Sequence, residues 1–232
     1  MLDIRANLGR VQEAVARACA RAGRSPDQVL LIAVSKTVDV ERIRLAVAAG
    51  VAALGENRVQ EAREKIETLG RPVPWHLIGS LQTNKAKEAA RLFDWIHSVD
   101  RPELAHELSR RAQGAERTLN VLLQVNLGDE PQKGGVAPAE LKPLHDATAG
   151  LPGLHVRGLM AIPPAAPTAE ATRPHFRTLR ELRDGLGLEH LSMGMSADYE
   201  VAIEEGATMV RVGTAIFGLR QAPPPSSRER AG

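Results

Sequence analysis

Apolar residues recur along this chain in two alternating rhythms, and their alternation predicts a fold. Short unbroken apolar runs, each closed by a polar or glycine-containing stop, give way to stretches whose apolar residues return at helical spacing. An unbroken run reads as a strand covered on both faces, as in an all-parallel sheet, whereas the wider spacing reads as an amphipathic helix.

A helical stripe of Ile4, Leu8, Val11, Val15 and Cys19 comes first and stops at Gly23 and the turn Ser25-Pro26-Asp27. The first strand is expected over 30–34, followed by a helix with Val40, Ile43 and Val47 on one face. The second is expected over 53–55, with Val59, Ala62 and Ile66 after it, and the third over 76–78, with Ala86, Ala89 and Phe93. The fourth covers 95–99, with Leu104 and Leu108 following, and the fifth 119–126, with a glycine-rich loop over 128–135 leading to Leu141 and Leu144. The sixth covers 156–160 and passes through a proline-rich loop, 162–167, to Phe176, Leu179 and Leu182. A short seventh near Leu191 and Ser192 precedes Val201 and Ile203, and the eighth covers 209–212.

Eight strands separated by helices predict an α/β fold of the (β/α)8 TIM-barrel type; an open sheet has about five or six strands. One barrel with an N-terminal helix is expected over 1–218, and a proline- and serine-rich tail without apolar anchors, 219–232, is expected to be disordered. The prolines at 163–167 read as a loop at the barrel mouth rather than a linker, because the repeat resumes beyond them with its spacing unchanged.

In such barrels the residues just past each strand share one mouth, where ligands bind. Here they are Lys36, Glu56-Asn57, Ser80, Asp100, Asn126, Met160, Gly194-Met195-Ser196, Arg211 and Gly213-Thr214. Lys36 has two readings: a solvated strand-end lysine, or a shielded amine able to attack a carbonyl and form an imine. Gly213, Thr214 and Ser196 offer the small, hydroxyl-bearing surroundings a phosphate needs, although singly each is a turn glycine or a helix cap. Arg211 interrupts an apolar strand and points away from its flanking valines, so it needs either a carboxylate such as Glu56 or a ligand atom. Lysine on the first strand, arginine on the eighth and an anion nest beside them outline a site for a phosphorylated aldehyde.

Composition narrows the function classes. Thirty basic against 28 acidic residues leave a formal charge of +2 without a basic stripe, so nucleic acid is not implied. The single cysteine, Cys19, rules out an internal disulfide and reads as a buried thiol. The seven histidines are scattered without metal-ligand spacing, so no metal is expected. No apolar run approaches a membrane span, and Asp3, Arg5, Arg10 and Glu13 stand where a signal peptide would be hydrophobic, which makes a cytoplasmic location the expectation.

The segments Ala33-Val-Ser-Lys-Thr37, Gly55-Glu-Asn57, Val59-Gln-Glu61, Trp75-His-Leu-Ile-Gly79, Leu81-Gln-Thr-Asn-Lys85, Arg157-Gly-Leu-Met160, Ser192-Met-Gly-Met-Ser196 and the run from Met209 to Gly218 resemble the pyridoxal phosphate homeostasis proteins. The resemblance extends from about Leu2 to Gly218. It implies a barrel like the N-terminal domain of alanine racemase, with pyridoxal 5'-phosphate held as an imine on Lys36. It further implies Arg211 facing the pyridine nitrogen, Ser196, Gly213 and Thr214 around the phosphate, and Asn57 and Met160 near the ring. The implied role is cofactor binding and the balance of vitamin B6 and amino-acid pools, with no residue given a catalytic part. Two positions depart from the family pattern: Arg58 where tyrosine is frequent, and Gly134 where serine is common.

An arginine holds its proton, so a pyridine nitrogen paired with it stays unprotonated and the cofactor is a weaker electron sink. Related racemases add a second base, a tyrosine from a partner's additional β domain. Here no such domain is expected after the eighth strand, and the one tyrosine, Tyr199, falls after strand seven. The expectation is therefore a monomeric, non-catalytic carrier that exchanges its aldehyde with free amino acids or with apo-enzymes. A weak amino-acid racemase, another imine-forming activity such as an aldolase, and an inert barrel are the alternatives.

Overall fold

In a computed structural model, which describes residues 3–128, 130 and 134–218, the expected alternation closes on itself. In chain order the elements are α1 Ile4–Arg21, β1 Leu30–Val34, α2 Val40–Ala48, β2 Ala53–Glu56, α3 Val59–Leu69, β3 Trp75–Leu77, α4 Ala86–Leu92 and β4 Trp95–Val99. They continue with α5 Pro102–Gln113, β5 Leu119–Val125, α6 Leu141–Thr148, β6 Leu154–Ala161, α7 Arg173–Gly185, β7 His190–Met195, α8 Tyr199–Glu204, β8 Met209–Val212 and α9 Thr214–Phe217. The strands pair in sequence order, all parallel, and β8 returns to β1 with Leu30 opposite Met209 and Ile32 opposite Arg211. This is a TIM barrel. The expected disordered tail, 219–232, and part of the expected glycine-rich loop, 129 and 131–133, lie outside the described residues.

Local chemistry sets the helix starts. The Asp3 carboxylate accepts the Ala6 N–H at 2.9 Å, and Asp39 does the same for Arg42 at 2.9 Å, each satisfying an amide that the first helical turn leaves open. Pro102 opens α5, where its missing N–H costs nothing. The buried Asn7 side chain donates to the carbonyl of Ile216 at 2.9 Å and ties α1 to α9. Cys19 is fully buried, and burial pushes its thiol pKa up, in keeping with an inert packing residue.

Two apolar layers follow from strand alternation. Leu31, Ala33, Leu54, Leu77, Ile96, Leu123, Leu159, Leu191, Val210 and Val212 face the helices in one continuous cluster. Leu30, Ile32, Ala53, Trp95, Leu122, Met160 and Met209 face inward and fill the barrel. The same alternation turns His76, His97, Ser192 and Arg211 inward, and all four are buried. Arg211 thus points opposite to Val210 and Val212, as the strand pattern predicts.

Two strands are longer than the sequence indicates by more than one residue. β7 continues past the expected stop because Gly194, at φ +88°, is absorbed in a bulge between Ser192 and Met195. β6 begins at Leu154 and pairs in register with β5 through Val156, after which a register shift between Val121 and Leu122 leaves Arg157 as the extra residue before Gly158. Among the described residues, no helix is long and apolar enough to cross a membrane.

Candidate functional site

Lys36 leaves the end of β1 half-buried, two residues beyond the inward-facing Val34 side chain. It occupies the second position of a turn closed by the Val38 N–H on the Ser35 carbonyl, at 3.0 Å. Asn57, half-buried after β2, lies against Gly79: a Cβ at Gly79 would stand 2.3 Å from the Asn57 carbonyl oxygen. Only a residue without a side chain permits that approach. Gly213, following β8, brings bare backbone beside β1, since a Cβ there would stand 3.1 Å from the Val34 carbonyl oxygen. Ser196 and Thr214 are exposed, on the segments following β7 and β8, and Met160 is fully buried in the inner layer.

Arg211 is 4 % exposed, and its nearest partners are neutral. Nη1 donates to Ser192 Oγ at 2.6 Å and Nη2 to the Ala161 carbonyl at 3.0 Å. Burial pushes its pKa down to about 10, with Asp198 pulling the other way, so it remains a cation at neutral pH. The carboxylate alternative is not realised: Glu56 accepts instead from Lys65 Nζ at 2.7 Å and from Ser35 Oγ at 2.6 Å.

A polar chain continues below Arg211. His97 Nδ1 lies 2.9 Å from Ser192 Oγ, and His97 Nε2 lies 2.9 Å from His76 Nδ1. Desolvation holds the His97 pKa well below its ordinary value and that of His76 at about 3, so both rings are neutral. One arrangement uses each donor once: Arg211 to Ser192, the Ser192 hydroxyl to His97 Nδ1, and His97 Nε2–H to His76 Nδ1. His76 then keeps its proton on Nε2, which finds no partner among the described residues, while its ring stacks on Trp95 at 5.5 Å. The sequence count of scattered histidines missed this chain. Its signal was present, since each member is a polar residue at an inward position of an otherwise apolar strand.

The described end of the glycine-rich loop folds over the mouth between β3 and β5. A Cβ at Gly134 would stand 3.3 Å from Asp100 Oδ2 and 3.5 Å from Ser80 Oγ, and the Gly134 carbonyl accepts from Gln124 Nε2 at 2.8 Å. Among the described residues, no group of three or more His, Cys, Asp or Glu side chains could hold a metal ion.

The sequence pattern of the alanine racemase N-terminal domain matches residues 6–221. A pyridoxal phosphate homeostasis protein of Aquifex aeolicus is 50 % identical over 92 % of this chain and 97 % of its own. The chain belongs to the pyridoxal phosphate homeostasis protein family. The family member of Pseudomonas aeruginosa is 47 % identical over 98 % of this chain and 100 % of its own length. Among solved structures, PipY of Synechococcus elongatus, determined with pyridoxal phosphate bound, is 40 % identical with a TM-score of 0.82, covering 93 % of this chain and 100 % of that one. Alanine racemase of Clostridium difficile, at 16 % identity and a TM-score of 0.70 over 96 % of this chain and 58 % of its own, shares the barrel.

Proposed function

We propose that this chain binds pyridoxal 5'-phosphate as a Schiff base on Lys36 and hands it on to free amino acids or to apo-enzymes that need it. In this role it serves vitamin B6 and amino-acid homeostasis. The observation that carries the reading is Arg211, a buried cation on β8 paired to the strand that leads to Lys36. The PLP-bound relative supports it, as do the names of the relatives.

When bound, the cofactor supplies an aldehyde that exchanges reversibly between amines. The chain's own residues fit that group. Lys36 provides the amine at the mouth. Arg211 would donate a hydrogen bond toward the ring nitrogen and, with a pKa of about 10, keeps its proton at neutral pH. Ser196 and Thr214 would supply hydroxyls for the phosphate, Gly213 would let the anion approach the backbone, and Asn57 and Met160 would lie near the ring. A proton-retaining guanidinium weakens carbanion chemistry, which favours a carrier over an enzyme. The single tyrosine points the same way: Tyr199 opens α8 and packs in the layer between strands and helices. A weak amino-acid racemase is the second reading. The carrier acts as a cytoplasmic monomer.

Purified protein mixed with pyridoxal 5'-phosphate is expected to develop a visible imine band, and borohydride is expected to fix the cofactor's mass on the peptide bearing Lys36. A mass shift absent from that peptide defeats the Schiff-base reading. Racemisation of an amino acid at the turnover of an ordinary enzyme defeats the carrier reading.

A further inference from the structure

The turn that carries Lys36 is strained, and the strain has a visible cause. Thr37 follows Lys36 with φ +62°, one of two non-glycine residues at positive φ among those described. The third position of such a turn ordinarily takes glycine or asparagine, because a β-branched side chain clashes there. A residue persists in that conformation only when its surroundings over-determine it.

The surroundings here are a buried ammonium and two carboxylates. Lys65, on the first turns of α3, is 6 % exposed, and Nζ meets three acceptors: Ser35 O at 2.6 Å, Glu56 Oε1 at 2.7 Å and Glu61 Oε1 at 2.6 Å. An ammonium has three protons, so its capacity is filled. Glu61 Oε1 in turn accepts the Thr37 N–H at 2.5 Å. Glu56 Oε1 also takes the Ser35 hydroxyl, at 2.6 Å. The residue before Lys36 and the residue after it are therefore both fastened to Lys65, the first directly and the second through Glu61.

We propose that Glu61, oriented by Lys65, is a positioning residue for Lys36: by holding the Thr37 amide it fixes the turn so that the Lys36 amine is directed into the barrel mouth. The inference rests on the reading of Lys36 as the amine that takes the cofactor. Glu61 touches no ligand atom in this scheme. It acts through the backbone of Thr37.

The test uses Glu61 rather than Lys65, because removing Lys65 strands the fully buried Glu56 carboxylate and threatens the fold. In cofactor-free protein, Glu61→Ala is expected to speed hydrogen exchange at the Thr37 amide about tenfold, and Glu61→Gln, which keeps the acceptor, to leave it within about twofold. Titration with pyridoxal 5'-phosphate is expected to show about tenfold weaker binding for Glu61→Ala and near-native binding for Glu61→Gln. Adding Thr37→Asn to Glu61→Ala is expected to recover most of the affinity, since asparagine accepts positive φ. A purely structural role for Glu61 does not produce that recovery. Faster exchange at Thr37 with unchanged affinity overturns the proposal alone. A wild-type protein that yields no borohydride adduct at Lys36 removes the cofactor reading, and this proposal falls with it.

Discussion

Arg211 Nη1 donates to Ser192 Oγ across 2.6 Å, from β8 to β7, inside the closed barrel. The pairing matters because Ser192 is itself held from the far side by His97, so the guanidinium is aimed by a chain of neutral groups rather than by a carboxylate. A carboxylate partner would cancel much of the charge that Arg211 presents to a ligand, and a hydroxyl does not.

Ser192→Ala removes an acceptor from Arg211 and a donor from His97 while leaving the packing nearly unchanged. Urea unfolding of the cofactor-free protein is expected to show a loss of about 2 kcal/mol, typical of buried polar groups left unpaired. A loss within about 0.5 kcal/mol, the usual range of a neutral surface change, contradicts the hydrogen-bonded chain.

Lys36→Ala is expected to abolish the imine band and leave the thermal unfolding midpoint close to native, because a half-buried strand-end lysine contributes little core packing. Absorbance titration and a thermal melt check the two halves separately.

Arg211→Ala is expected to weaken cofactor binding and shift its absorption band, if the guanidinium is the donor to the ring nitrogen as proposed. The same titration distinguishes the alternatives. An unaltered curve means that the guanidinium serves only Ser192 and the Ala161 carbonyl.

Acid is expected to destabilise the fold through the buried histidines. His76, at about 3 when folded against an ordinary value of 6.5, is neutral in the barrel but takes up a proton on unfolding below pH 6.5. Its contribution is fully present above pH 6.5 and is lost, at up to about 1.4 kcal/mol per pH unit, as pH falls toward 3. His97 is shifted in the same direction and adds to the slope. Buried Glu56 and Asp198, raised by desolvation, work in the opposite sense and lose stability as pH rises past their unfolded values. His76→Asn keeps an acceptor near the Nδ1 position and removes the titration, so urea midpoints at pH 7.5 and 5.5 should lie closer together than in the native protein. An equal difference between the two midpoints in both proteins contradicts this assignment.

Gly194→Ala should disturb the proposed anion end of the site. The residue sits at φ +88°, and an added Cβ would stand 2.6 Å from Ala202 Cβ and 2.9 Å from Tyr199 Cα, forcing β7 and α8 apart next to Ser196. The cost is expected to be about 1–3 kcal/mol, read in a thermal melt, with a smaller rise in melting temperature on adding inorganic phosphate than the native protein gives.

The barrel was legible because each strand is an apolar run and each helix an apolar stripe, which are signals local enough to read from the chain. The positions of Lys36, in the polar trio just past an apolar strand, and of Arg211, a charge within one, were legible for the same reason. The length of β7 was not, because glycine ordinarily marks a stop and only pairing with β8 turns Gly194 into a bulge. The partner of Arg211 was not legible either. Choosing between Glu56 and Ser192 requires the strand faces: with Ala53 inward and Leu54 toward the helices, Glu56 faces α3 and Lys65, whereas Ser192 shares the inner face with Arg211. Lys65 itself looks like an ordinary solvated helix lysine beside Ile66, and nothing along the sequence shows that it turns under the first strand.

The pairing of the first strand with the last has a consequence for how the protein matures. Ile32 meets Arg211 only once nearly the whole barrel sequence has been synthesised. Until β8 arrives, the nascent chain carries Lys36 without the arginine or the Gly213 backbone beside it. If Lys36 takes the cofactor as proposed, a product truncated before Met209 would keep the amine and lack the cation and bare backbone that β8 and its following turn set beside it.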